Sequence, residues 1–353
     1  MLACAILISG CPKKDATPTD TTAPGESQVQ SVQTPEEPVK KSSLHVRPDV
    51  PENGDVVVLM TGDIHSLVDK NFSFGGVYEI RYQMELKGDT VLLVDDGDAI
   101  QGAPLGFDTK GEAVIDLMNE LGYDAAIPGV HEFHYGMDRF FELVNRANFE
   151  YISCNFVKDG QLVLKPYVIK EACGKKIAFV GVTTPRVLTQ MPAEYFHGPD
   201  GSTAYGFMQD STGDIIVRAV QNSIDKARSE GADYVIVMGH FGKSTAAAPW
   251  IYSTITTKIR GCDVYFDGYS HDVNADEYQD ADGNKRMRVS AGSGLRGLGW
   301  ARFSAKDGAV TAGVHSWQNN EFTPIEVFDI ENPMSKRIDE AMKEFAAGKS
   351  GNG

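Results

Sequence analysis

Asp and His residues gather just beyond short apolar runs. Residues 56–60 are all apolar and lead into Thr61-Gly62-Asp63-Ile64-His65, and residues 91–94 lead into Asp96-Gly97-Asp98, with Gln101 close behind. Residues 123–127 lead into Gly129-Val130-His131-Glu132, residues 234–238 into Gly239-His240, and residues 264–266 into Asp267-Gly268-Tyr269-Ser270-His271. Asp63 and Asp98 offer hard carboxylate oxygens, while His65, His240 and His271 offer imidazole nitrogens. That mixture suits a divalent Zn, Mn, Fe or Co ion better than Ca. Taken singly, such an Asp caps a helix or turn and such a His is a satisfied polar group. Five strand ends carrying them in one chain point instead to one assembled metal site.

The elements that must position these residues are legible from periodicity. Continuous apolar runs of strand length predict strands buried on both faces; further strands are expected at residues 149–153 and 177–182. Helices are expected near residues 78–86, 112–121 and 215–228, the second with Ala113, Val114, Leu117, Met118 and Leu121 on one face. Residues 286–317 show strand-like runs with Gly turns, and helix returns only at residues 333–345. The pattern is α/β with a β-rich end. In an open α/β sheet the ligand crevice lies beyond the carboxyl ends of the strands, where all five motifs sit.

The N-terminal residues address a compartment. Residues 2–8 are apolar and run into Ser9-Gly10-Cys11, so residues 1–10 read as an export signal too short to span a bilayer. Ile8-Ser9-Gly10-Cys11 resembles a bacterial lipobox, in which Cys11 is lipidated, although no Lys or Arg precedes the apolar run. Residues 12–54 hold seven of the sixteen prolines and are otherwise rich in Ser, Thr, Gln, Glu and Lys. Such a segment buries too little apolar surface to offset its ordering entropy. Residues 11–54 are therefore expected to be a lipidated, disordered tether to a membrane, ahead of a domain at residues 55–325 and a helix and tail at residues 326–353. A formal charge of −16 argues against a nucleic-acid polymer as partner, but not against a small phosphorylated molecule, since bound metal reverses the local sign. With Cys4 and Cys11 in the leader, the remaining Cys154, Cys173 and Cys262 are odd in number and lack zinc-site spacing.

Asp63-Ile64-His65, Gly97-Asp98 with Gln101-Gly102, Gly129-x-His131-Glu132, Gly239-His240 and Ser270-His271, in that order, resemble the calcineurin-like metallophosphoesterases. The nearer likeness is to the N-terminal catalytic domain of bacterial periplasmic 5′-nucleotidases, supported by local runs at residues 101–105, 110–118, 165–169, 181–185 and 291–293. The resemblance covers residues 56–304 and implies a single folded domain, a four-layer α/β/β/α sandwich holding two divalent metals. It implies that Asp63, His65 and His271 hold the first metal, that Asp98 bridges, and that His240 belongs to the second. It also places His131 beside the phosphate, stabilising the transition state or protonating the leaving oxygen. The implied activity is metal-assisted hydrolysis of small phosphomonoesters outside the cytoplasm.

The chain departs from that pattern on one side of the site. The family reads Gly-Asn-His-Glu-Phe-Asp where this chain has Gly129-Val130-His131-Glu132-Phe133-His134, and Gly-His-Ser-His where it has Gly268-Tyr269-Ser270-His271. Two second-metal donors and the carboxylate that orients the catalytic His are thereby missing. Two altered ligands stay open: Tyr269 as a phenolate, and His134 leaning into the site. Nucleotide-cleaving members also carry a C-terminal domain that grips the base, and none is expected here. Two functions follow: a phosphoesterase with a degraded second metal site, or a non-catalytic relative acting as a metal- or ligand-binding surface lipoprotein.

Overall fold

Val56–Thr61 (β1) is buried along its whole length because it is covered on both faces. Val57 and Leu59 pack with Phe74, Val77 and Leu117 on one side, whereas Val56, Val58 and Met60 meet Phe179, Met238 and Phe266 on the other. The strand period of two thus sorts one apolar run between two cores. The computed structural model describes residues 42–317 and 332–350; the signal at residues 1–10, Cys11, the tether through residue 41 and residues 318–331 lie outside the described residues.

After β1 come β2 (Thr90–Asp95), β3 (Ala125–Ala126), β4 (Glu150–Tyr151), β5 (Val157–Lys158), β6 (Gln161–Leu162), β7 (Tyr167–Ala172) and β8 (Lys175–Val182). They are followed by β9 (Tyr205–Gly206), β10 (Tyr234–Gly239), β11 (Val264–Asp267), β12 (Val273–Gln279), β13 (Lys285–Ala291), β14 (Gly297–Phe303) and β15 (Val310–Ser316). One six-stranded sheet has the order β15-β14-β1-β2-β3-β4 and the other β12-β13-β11-β10-β8-β7, while β5, β6 and β9 form a small third sheet. The strands β1 to β4 run parallel, as do β8, β10, β11 and β13, and antiparallel strands close the edges. The helices Ser73–Leu86 and Glu112–Leu121 cover the outer face of the first sheet, and Asp214–Ser229 covers that of the second. This is the expected α/β/β/α sandwich.

The first helix begins at Ser73, ahead of the expected residue 78, because the Gly75-Gly76 pair that mutes its sequence signal is a packing device. A Cβ at Gly75 would collide with Ser335 of the helix Pro333–Ser350. That last helix sends Met334, Ile338 and Ala341 into the same core, so it is part of the domain, where an appended helix and tail had been expected. The folded part also starts before residue 55. Leu44 N–H donates to Glu120 O at 2.7 Å, His45 Nε2 lies 3.1 Å from Glu85, and Asn53 Nδ2 donates to Asp89 at 2.8 Å. Residues 42–54, expected within the tether, are tied down by these polar contacts, which a local composition reading does not contain. The strand β7 and the helix Met137–Arg146 escaped sequence reading, although Met137, Phe140 and Leu143 recur at helical spacing on the buried face of that helix. Cys154, Cys173 and Cys262 are free thiols. Among the described residues no helix is long and apolar enough to cross a membrane.

Candidate metal centre

The carboxyl ends of β1, β2, β3, β10 and β11 converge, and the turns that follow them are sharp. Asp63, His65, Asp98, Tyr269 and His271 all have positive φ, at 50°, 49°, 57°, 79° and 56°. This left-handed backbone costs a side-chain-bearing residue of order 1 kcal/mol or more and is concentrated at functional sites. Gly97 and Gly129 pass so closely that no Cβ fits between the two loops.

Three donor sets result, each within bonding span of a common point: Asp63, His65 and His271; Asp63, Asp98 and His240; and His65, Asp98 and His131. Asp63 Oδ1 lies 3.3 Å from His271 Nε2 and 3.7 Å from His240 Nε2. His65 Nε2 and His271 Nε2 are 3.1 Å apart, and His240 Nε2 is 3.1 Å from Asp98 Oδ2. Two rings are already oriented for coordination. His65 Nδ1 is 2.9 Å from Gln101 O and His240 Nδ1 is 2.7 Å from Asp96 O; a carbonyl only accepts, so each Nδ1 carries the hydrogen and leaves the Nε2 lone pair facing the centre. Buried Asp63 Oδ1 and His240 Nε2 have no regular hydrogen-bond partner, though His240 Nε2 comes to 3.1 Å from Asp98 Oδ2. A buried acceptor left unpaired costs about 1–3 kcal/mol, and a metal ion would satisfy both atoms at once. The local field agrees: burial alone would lower the His240 pKa, yet Asp98 and Asp63 raise it well above the usual imidazole value. The carboxylates that raise it, Asp98 and Asp63, are the same groups that would attract a metal cation.

The centre leans on residues that sequence reading missed. Buried Glu132 accepts hydrogen bonds from the amides of Asp98 at 2.9 Å, Ala99 at 2.8 Å and Gly129 at 2.7 Å, and so fixes the backbone of both loops. Burial, then the Asp98 charge, pushes its carboxyl up to about 7. Asp98 Oδ1 in turn accepts from the amides of Val130 and His131 at 2.6 and 2.7 Å. Across the centre Arg288 pairs with Asp267 at 2.7 Å, and Asp267 accepts from the amides of Phe241 and Gly242, the two residues after His240. Glu132 lies within a quoted motif, but its role depends on amides far along the chain; Arg288 carries no sequence signal.

The departures from the family pattern prove to be packed rather than rebuilt. Val130 is buried with Phe133, Met137, Phe140, Phe156 and Phe207, and Tyr269 packs against the same cluster. The Tyr269 amide donates to Asp63 Oδ2 at 2.9 Å, but its hydroxyl accepts from Gln190 Nε2 at 2.7 Å. Its ring lies edge-on to His240 with centroids 5.5 Å apart. The phenol therefore turns to Gln190, and the open reading of Tyr269 as a phenolate ligand finds no support in this geometry. His134 stands 5.9 Å from the His131 ring, centroid to centroid, and joins none of the three donor sets. Neither His131 Nδ1 nor His134 Nδ1 has a partner, so His131 approaches Asp98 at 4.0 Å without the anchor the family pattern supplies.

The calcineurin-like phosphoesterase family model matches residues 56–279. The Bacillus subtilis trifunctional nucleotide phosphoesterase YfkN is 27% identical over 265 residues, 65% of this chain and 17% of that protein. The Haemophilus influenzae 2′,3′-cyclic-nucleotide 2′-phosphodiesterase/3′-nucleotidase is 28% identical over 220 residues, 54% of this chain and 32% of that protein. The chain thus spans a third or less of the length of these relatives. The crystal structure of calcineurin-like phosphoesterase YfkN from Bacillus subtilis shares the fold, with a TM-score of 0.63 at 23% identity over 82% of this chain and 97% of that one. With the match over most of its length, and with carboxylate and imidazole donors at the carboxyl ends of its strands, the chain belongs to the calcineurin-like phosphoesterase family, whose members are divalent-metal-dependent hydrolases.

Proposed function

We propose that this protein hydrolyses small phosphomonoesters, nucleotides or other phosphorylated metabolites, with one tightly held divalent ion. The observation that carries the reading is the convergence of Asp63, His65 and His271 on one point while Asp63 Oδ1 and His240 Nε2 stand unpaired. The first set would hold the tight ion, and Asp63, Asp98 and His240 a weaker one. A metal ion there would lower the pKa of a water and neutralise phosphoryl oxygens. The chain's own residues supply the rest: Gln101 O and Asp96 O aim two imidazoles, Glu132 sets the Asp98 loop, and half-exposed His131 stands at the mouth to meet the leaving oxygen. Val130 and Tyr269, placed in an apolar cluster where donors are expected, support a single tight ion. Zn, Mn, Fe and Co all suit the donor set.

Elemental analysis of purified protein should find about one Zn, Mn, Fe or Co per chain, with hydrolysis of an aryl phosphate that a chelator abolishes and readdition restores. Tightly bound metal with no turnover on aryl or nucleoside phosphates would favour the non-catalytic alternative, to which the unanchored His131 ring lends its one specific observation. Two ions per chain, equally slow to leave, would discard the single-ion reading.

We further propose that Cys11 is lipidated and anchors the protein on the exported side of a bacterial membrane, on the strength of Ile8-Ser9-Gly10-Cys11. Cys11→Ser should move the protein from the membrane fraction to the soluble exported fraction. A variant that still sediments with membranes like its parent contradicts the anchor.

A further inference from the structure

Among the described residues two arginines near the centre, Arg186 and Arg296, make no ion pair with an acid. Lys243 is paired with Asp272 at 2.9 Å and Arg288 with Asp267 at 2.7 Å, while Arg296 is spent on the carbonyls of His271 and Ser293. Arg186 makes no ion pair among the described residues; its guanidinium lies over the Tyr269 ring, 4.4 Å from the centroid. That is within the roughly 6 Å range of a cation–π contact. The same ring meets His240 on another side, with centroids 5.5 Å apart. One turn of the helix Val187–Gln190 later, Gln190 holds the Tyr269 hydroxyl at 2.7 Å, and the Gln190 amide donates to Arg186 O at 3.1 Å. Arg186 and Gln190 therefore clasp the face and the tip of one side chain whose amide is bonded to the ligand Asp63.

Two features of this arrangement are unusual together. Tyr269 stands at φ 79°, a backbone that disfavours a bulky residue, and it replaces a donor while contributing no oxygen of its own. Its ring does something a metal-binding imidazole at that position does not: it holds a planar cation, and the same ring also contacts His240 and packs against the cluster that contains Val130. A guanidinium is always charged and presents a rigid fork of N–H donors matched to phosphate oxygens.

We infer that Arg186, held by the Tyr269 ring, binds the phosphoryl oxygens of the substrate and supplies the positive charge that the weakened second metal position lacks. The inference rests on the phosphomonoester reading above. It makes Tyr269 a positioning residue and Arg186 a residue that contacts substrate, with the phosphoryl group spanning the tight metal position and the guanidinium.

The test uses the full chain, metal-loaded, with inorganic phosphate as the probe and calorimetry as the readout. Arg186→Ala should weaken phosphate binding about ten- to a hundredfold, the range of one charge-assisted contact, with metal content per chain unchanged. Arg186→Lys should restore part of the affinity, keeping the charge but not the fork. Tyr269→Leu removes the ring that holds the guanidinium and should weaken phosphate binding as Arg186→Ala does, with metal content unchanged; phosphate affinity like the parent's in that variant removes Tyr269 from the inference. Unchanged affinity in Arg186→Ala overturns the inference, and so does loss of metal together with phosphate, which would mark Arg186 as a latch on the Asp63 loop. A parent that binds phosphate through Arg186 yet hydrolyses no phosphate ester upholds the inference while removing the hydrolase reading; a parent that binds no phosphate removes the inference.

Discussion

Asp63→Asn is expected to empty the centre of metal and to lower phosphatase turnover by about a thousandfold. Its Oδ1 is the atom shared by the set with His65 and His271 and the set with Asp98 and His240. No other residue on that side of the cleft serves both. The ion's charge is worth several kcal/mol at a phosphoryl transition state, and each ~1.36 kcal/mol is about tenfold in rate. Asn keeps the shape and still accepts from the Tyr269 amide, as Asp63 Oδ2 does at 2.9 Å, so the loss reports on charge and coordination rather than on a collapsed loop. His271→Ala is the comparison: that imidazole is about half exposed, with 46% of its side-chain surface open, and belongs to one of the three donor sets, so residual metal should remain. Metal per chain and rate, measured together on both variants, decide the matter. Full metal content in Asp63→Asn with a rate within tenfold of the parent would show that the centre is organised around another carboxylate.

The donors were legible because their positions are set by local grammar: an apolar strand, a sharp turn, then Asp or His. The strands β1, β2, β8, β10 and β11 lie where continuous apolar runs put them, and the helix Glu112–Leu121 matches its predicted range. Misreadings arose where a residue's meaning depends on a distant partner. Gly75 reads as a weak point in a helix until Ser335 of the last helix is seen against it. The polar stretch at residues 42–54 reads as solvated until its contacts with Glu120, Glu85 and Asp89 are seen. Tyr269 and His134 were open as substitute ligands because sequence shows a donor atom but not its direction; the hydroxyl goes to Gln190, and His134 stays beside His131 without a bond. Glu132 and Arg288 were invisible for the same reason, since each acts on main-chain groups or acids brought in by the fold.

Arg288→Met should destabilise the protein by about 3–5 kcal/mol, the cost of stripping one partner from a buried ion pair. Arg288 is fully buried; its Nε donates to Asp267 at 2.9 Å, its Nη2 is 2.7 Å from the same carboxylate, and its Nη1 reaches Asp276 at 3.2 Å. The guanidinium also rests on the Tyr252 ring, 4.6 Å from the centroid. Met replaces much of the volume but none of the charge, and leaves the Asp267 carboxylate facing an apolar wall. Nearby Asp96 cannot help, because both its oxygens are buried without partners, and burial followed by the Asp267 charge already raises its pKa well above the carboxylate range. Asp267 is pushed up in the same way, by burial first, with Arg288 opposing. Removing Arg288 therefore takes away the charge that opposes burial at Asp267, the carboxylate that holds the amides of Phe241 and Gly242 after His240. The double variant Arg288→Met with Asp267→Asn removes both charges while the Asn oxygen still accepts from those amides, and should recover most of the loss, since the penalty is the orphaned charge rather than the missing bond. Denaturant midpoints of parent, single and double variants measure this directly. A single variant within about 1 kcal/mol of the parent, below the range for breaking a buried pair, would mean that Asp267 is held neutral and that the amides alone keep the His240 loop in place.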